Sequence, residues 1–284
     1  MATNFGKWLR VLTIGSKPAE SAKNKGGQAM RRVNVLVRVG ILAMGSAFAI
    51  VPAAHADKSC SNATLNGTYG ALIKGTAGGL PFAQLDIVTA DGNGNLSGTG
   101  TSAYNGAITQ GIPLSATYSI DSSCSATVSF SNGATQNAVI TRDGEEVQFI
   151  RTDDPSAQVT GDAKRVDKEK CTDTALNGNF GATLGGEVGG LPYVALDSVT
   201  AGGDGAFSGT GTVSFNGAIT DVSFTATYLV NPDCSGSVSF NTGATQNIVI
   251  VGRGSQVLIL KTDNPNAVVT GVATNLSNHQ NESE

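Results

Sequence analysis

Asp86 and Asp197 are the residues best placed to do chemistry in this chain, because they recur at one position of an internal repeat, in the middle of segments that alternate apolar and polar side chains. Asp86 shares its alternating face with Phe82 and Val88, and Asp197 shares its own with Tyr193 and Val199. If that face lines a core, each carboxyl must find a partner or hold its proton at neutral pH. Groups so placed serve as acid–base or ligand-orienting residues. Two plainer readings stand beside this one: the face points to solvent, or Asp86 pairs with Arg151, with Lys261 as the analogue in the second copy. Tyr118 and Tyr228 are matched as well and join the aspartates as candidate ligand contacts, with core packing as the structural alternative. Tyr69 and Tyr104 become Phe180 and Phe215, so those hydroxyls are dispensable in one copy. Gln136-Asn137, matched by Gln246-Asn247, could meet a polar ligand such as a sugar or bond backbone at a strand entry.

Several chemistries are excluded by residue type. The chain's 2 histidines are His55, near the end of a leader, and His279, in the polar tail, so the repeats hold none. This removes histidine triads, histidine-ligated zinc and imidazole bases. Serine and threonine abound, yet none has a neighbour that would activate it as a nucleophile. Asp91-Gly92-Asn93-Gly94-Asn95 has the alternating oxygens of a calcium loop, but Ser102 stands where the closing glutamate belongs. The second copy, Gly202-Gly203-Asp204-Gly205-Ala206, keeps the glycines and loses most oxygens, so a hairpin turn is the shared feature. No catalytic residue, metal or cofactor is assigned on this basis.

The elements that must position these residues follow from the repeat. From Cys60 to Thr109, 28 of 50 residues are identical to those 111 positions later, and beyond the loss of one residue the separation is 110. A period this long indicates duplicated domains, not a solenoid. Each copy carries one cysteine pair, Cys60 with Cys124 and Cys171 with Cys234. In an oxidising compartment these pairings are favoured over the other two connectivities by the repeat symmetry, and over a shared metal site by the lack of CxxC spacing. Turn residues recur about every ten positions and no stretch holds helical periodicity, which predicts eight short strands per copy. In the first copy these are 67–76, 81–90, 96–104, 112–120, 126–131, 137–141, 147–152 and 158–166, with Val128 and Phe130 aimed inward, as Val238 and Phe240 are in the second. Sequential hairpins most simply close into an all-β, eight-stranded antiparallel up-and-down barrel, two in tandem, with a two-sheet sandwich as the alternative.

The domain organisation expected is a leader over 1–56, a first barrel over 57–163, a charged linker over 164–170, a second barrel over 171–275 and a polar tail over 276–284. The leader has eight basic residues against the single acid Glu20, then an apolar run from Val39 to Val51 and Ala54-His55-Ala56 ahead of Asp57. That is the order of a cleavable export signal, and Met30 is an alternative start. Its removal leaves ten basic and 21 acidic residues, a net charge near −11, which argues against nucleic acid as a partner. No transmembrane segment is expected after cleavage, the protein is expected to be secreted or periplasmic, and the oligomeric state stays open.

The residues Gly67-Thr68-Tyr69-Gly70, Asp91 to Gly98, Thr227 to Cys234 and Thr262-Asp263-Asn264-Pro265 carry a resemblance to a family of uncharacterised secreted bacterial proteins. That resemblance implies small barrels similar to the calycin group, which includes the lipocalins and the allene oxide cyclase barrel. Its motifs are turns and strand ends, so it implies a fold and no catalytic residue. The leading expectation is a non-enzymatic secreted protein that binds a small apolar or amphipathic molecule or serves as a surface or matrix component. The alternatives are a cofactor-free isomerase or cyclase assisted by Asp86 and Asp197, and a purely structural or adhesive role if the interiors are packed and the outer faces apolar.

Overall fold

The computed structural model describes residues 59–277; the leader and the end of the tail, with the export signal read from them, lie outside the described residues. The first repeat supplies β1 (Asn66–Ala77), β2 (Leu80–Asp91), β3 (Asn95–Tyr104), β4 (Ala107–Ile120), β5 (Ser125–Phe130), β6 (Thr135–Thr141), β7 (Glu146–Arg151) and β8 (Gln158–Arg165). The second supplies β9 (Asn177–Val188), β10 (Leu191–Gly202), β11 (Ala206–Phe215), β12 (Ala218–Val230), β13 (Ser235–Phe240), β14 (Thr245–Val251), β15 (Gln256–Lys261) and β16 (Ala267–Asn275). Each strand pairs antiparallel with the next and the last pairs with the first, giving two closed eight-stranded up-and-down barrels. The sandwich alternative is thereby set aside. Closure leaves no strand edge unpaired. Alternation fixes the faces: in β5, Ala126 and Val128 are buried while Ser125, Thr127 and Ser129 are exposed.

The strand borders differ from expectation most at β4, which begins at Ala107, five residues early. The chain reverses at Asn105-Gly106, both at positive φ (48° and 82°). Gly111, which lies between the expected strands 96–104 and 112–120, forms a bulge: pairing passes from Gly100↔Ile112 to Ser102↔Thr109, and Gly111 takes φ 66°. The matching pair β11–β12 runs in unbroken register. The residue missing from the second copy is therefore the bulge itself.

The disulfides Cys60–Cys124 and Cys171–Cys234 form within each repeat, as the symmetry indicated. The linker is shorter than expected, because Lys164 and Arg165 belong to β8. Arg165 lies with its guanidinium 5.5 Å from the Tyr69 ring centre and donates to the Tyr69 hydroxyl at 3.1 Å. Lys164 pairs with Glu146 at 3.2 Å and donates to Gln256 of the second barrel at 2.7 Å.

The barrels pack side by side, and not symmetrically. The outer face of β1–β3 meets the outer face of β14–β16, joining Leu72, Ala83, Leu85 and Ala103 to Val249, Val251, Leu258 and Leu260 in one apolar cluster. Gly70 makes the close approach possible: a Cβ there would fall 2.5 Å from Val249 Cγ1 and 2.6 Å from Val251 Cγ1. Asn247 Nδ2 donates across the seam to Thr101 Oγ1 at 3.0 Å. This seam explains why β14 and β15 are buried on both faces while β6 and β7 are buried on one.

Candidate functional site

Each barrel is shut at one end by the segment that precedes its first strand. In the first, a 3-10 turn, Asn62–Thr64, and Leu65 form the plug. The Tyr118 hydroxyl donates to Leu65 O at 2.7 Å and accepts from Gly92 N at 3.1 Å, while Asn62 Oδ1 accepts from Ile120 N at 2.9 Å. The second barrel repeats this: Tyr228 donates to Leu176 O at 3.1 Å, and Asp173 Oδ1 accepts from Val230 N at 2.8 Å. The disulfide ties the start of the plug to the turn before β5 or β13. Tyr118 and Tyr228 thus spend their hydroxyls on the plug, and what Tyr118 offers the interior is its ring.

The interiors are apolar and nearly filled. The first is lined by Ile73, Val88, Leu96, Val128, Phe130 and Phe149, and the second by Leu184, Val199, Phe207, Phe224, Phe240 and Ile259. Each encloses a cavity of about 70 Å³. That is well below the roughly 300–1,000 Å³ of sites that hold drug-sized molecules. The repeats reach the same free space by different packing. Phe207, Phe224 and Phe240 meet one another at 5.6–6.4 Å between ring centres, whereas the first barrel has Leu96 and Leu114 in place of the first two and gains Phe149 over Ile259.

Asp86 and Asp197 both face these interiors, each accompanied by a matched glutamine, Gln136 or Gln246. The aspartate sits where it does because the neighbouring strand gives way. Asp86 pairs in register with Gly100 and Asp197 with Gly211, and a Cβ on either glycine would fall 1.9 Å from the carboxylate Oδ1. Asp86 is 4% exposed, and Gln84 Nε2 donates to both of its oxygens at 2.8 and 2.9 Å. Burial pushes its carboxyl up to about 7, against a smaller lowering by the Gln84 amide. Asp197 has Ala195 where Asp86 has Gln84, so it is only partly buried, and burial raises its pKa without an opposing bond. Tyr193 shares this end of the second barrel; burial, then the charges of Asp197 and Asp263, hold its phenol above the usual range.

The proposed pairing of Asp86 with Arg151 does not form. Arg151 binds Asp153 through two bonds of 2.7 and 2.9 Å, and Lys261 binds Asp263 at 2.8 Å, because those acids lie two residues away on the same strand exit. The Gln-Asn pairs divide: the glutamines face the interiors, while Asn247 is used at the seam between barrels. Asp91 Oδ1 accepts from Asn93 N at 2.7 Å and Asn95 N at 3.0 Å, so the calcium-like segment closes on itself as a hairpin turn. Gln84 escaped sequence reasoning because its counterpart is Ala195; its i, i+2 spacing from Asp86 on one strand face was the available signal.

No family model and no curated protein matches the chain. Among solved structures, kievitone hydratase from Nectria haematococca is similar over 77% of this chain and 90% of that one, at 8% identity and TM-score 0.25. A putative AttH from Nitrosomonas europaea is similar over 74% and 92%, at 9% identity and TM-score 0.23. The Myxococcus xanthus hemagglutinin, in complex with a3,a6-mannopentaose, is similar over 73% and 99%, at 14% identity and TM-score 0.15. Likenesses at this level carry no argument about activity, which rests on the residues alone.

Proposed function

We propose that this is an exported, non-enzymatic protein whose barrels each bind a small, mostly apolar molecule by one polar end, with the second barrel the more open site. The observation that supports this reading is the one carboxyl group facing each apolar interior, in both copies next to a strand glycine that makes room for it. An apolar cavity with a few convergent polar groups is the usual form of a small-molecule site. The cavity volume limits what enters: a molecule of a few heavy atoms, or the tip of a longer one. Export fits the two disulfides, which persist in oxidising compartments. Among the described residues no helix is long and apolar enough to cross a membrane.

The test uses short aliphatic amines and alcohols of four to eight carbons, titrated into the whole chain and followed by NMR. Saturable shifts at residues lining the second interior are expected, with amines weakened at least tenfold by Asp197→Asn and all probes weakened by Ala195→Gln, which supplies the cover that Asp86 has. An absence of saturable binding at either interior would end this reading. A second reading, a cofactor-free isomerase or cyclase, is favoured by one observation: a carboxyl brought to about 7 has the affinity for protons that a general base needs near neutral pH.

A further inference from the structure

Because both barrels descend from one sequence, each carries both of the outer faces that form the seam. The seam uses one of each: β1–β3 of the first barrel and β14–β16 of the second. This contact is heterologous, joining two different faces of one unit, and such a contact leaves an unused copy of each face at the far ends unless it closes on itself.

The unused faces keep apolar side chains at several of the seam positions. On β10 and β12 of the second barrel, Val194, Leu196 and Ile219 are 54%, 63% and 75% exposed. Their counterparts Ala83 and Leu85 are 1% and 4% exposed, and Ile108 packs against the seam cluster. On β6 and β7 of the first barrel, Val139 and Ile150 are 50% and 54% exposed, where Val249 and Leu260 are 3% and 0%. An open groove of about 610 Å³ runs along this face beside Val139, Gln148 and Ile150. Large apolar residues left exposed singly need no explanation, but here they fall at the positions that a known interface buries.

We propose that the chain associates head to tail with copies of itself, the outer face of β9–β11 of one molecule seating on the outer face of β6–β8 of the next and repeating the contact already made inside each chain. The seam identifies the occupant: the face that fits β14–β16 is the β1–β3 face of this same repeat, and its second copy is free. The outer contact is weaker than the inner one. In the first barrel Thr141, Gln148 and Asp162 replace Val251, Leu258 and Val272, and in the second Thr183 and Ser198 replace Leu72 and Ile87. Reversible, concentration-dependent assembly follows.

Sedimentation velocity on the whole chain over a concentration series reads this directly. The expected result is an average mass that climbs past the dimer as concentration rises. Leu196→Glu and Ile150→Glu each spoil one end and should lower the association constant at least tenfold when tested alone. Both substitutions sit on exposed side chains, and an unchanged thermal melt confirms the fold; Val194→Ser and Val139→Ser serve as milder versions should either glutamate variant misfold. Mixed in equal amounts, the two variants still own one complementary pair of intact ends and should form dimers that grow no further. A wild-type chain that stays monomeric throughout overturns the proposal. So does self-association of the Ile150→Glu variant at wild-type strength, which would mean that like faces meet.

Discussion

The two barrels share strand order, plug, disulfide and cavity size, yet they treat the same aspartate differently. In the first, Gln84 lies on the carboxyl and removes it from water; in the second, Ala195 leaves the matching carboxyl half open. The aspartate and its register-partner glycine are matched in both, and the difference in burial falls where the surroundings differ, most directly at the neighbour two residues along, Gln84 or Ala195. The outer faces make the same point at larger scale. Val249 and Leu260 are core residues and Val139 and Ile150 are surface residues only because a barrel covers the first pair. Burial in a duplicated protein is thus a property of where each copy sits, and function can divide between copies without any change in the residues that appear functional.

The sharpest way to break the comparison is through pH. The folded state holds a proton on Asp86 up to about 7, while the unfolded chain releases it near 3.8. Between these values the folded state binds more protons than the unfolded one. The stability associated with this group is therefore fully present below pH 3.8 and lost as pH rises through 7, by about 4 kcal/mol. Asp86→Asn should remove that slope and leave the variant more stable than wild type at pH 8. Asp197→Asn should change the slope in the same direction and by less, since water already reaches its carboxyl. Urea unfolding of the three proteins at pH 4.5, 6 and 8 measures both effects. Parallel curves for wild type and Asp86→Asn would show that the Asp86 carboxyl is as well solvated in the folded chain as in the unfolded one.

Next in size is a pair of glycine substitutions. Gly70→Ala would drive a methyl into Val249 and Val251 at the seam, whereas Gly181→Ala, at the matching position, would meet only Leu276 Cδ2 at 3.5 Å. Overpacking a tight contact costs about 1–3 kcal/mol, and a tolerated surface change stays within about 0.5 kcal/mol. Denaturant midpoints for the two variants should separate accordingly. Equal midpoints would mean that the barrels do not meet through this face.

Much of this architecture was legible in the sequence for identifiable reasons. Strand alternation, Gly-Asn turns and the cysteine symmetry are local or repeated signals, so the barrels and both disulfides could be read directly. That Asp86 shares a face with Val88, and Asp197 with Val199, followed from period-two alternation, while the sequence left open whether that face points inward or to solvent. What could not be read was long-range. Gly111 forms a bulge because Ser102 pairs with Thr109, a register set across the hairpin. The bond from Gln84 to Asp86 required side-chain directions that spacing alone does not give. The seam between barrels leaves only a faint trace, the second copy's extra apolar residues Val251, Leu258 and Val272 where the first has Thr141, Gln148 and Asp162.

The smallest effect tests where the barrels should not differ. Tyr118→Phe leaves Leu65 O and Gly92 N without the hydroxyl they share, and Tyr228→Phe removes the matching bond to Leu176 O. A buried hydrogen bond of this kind contributes about 1 kcal/mol, so each variant should lose that much by denaturant unfolding, with the interiors otherwise unchanged. The phenyl ring keeps its place, which separates the plug bond from the packing of the ring beneath it. A loss confined to one barrel would mean that its plug alone is held shut by the hydroxyl. Access to the interiors would then differ at the closed end as well as at the aspartate end, and the choice of the second barrel as the open site would turn on the plug and no longer on Ala195.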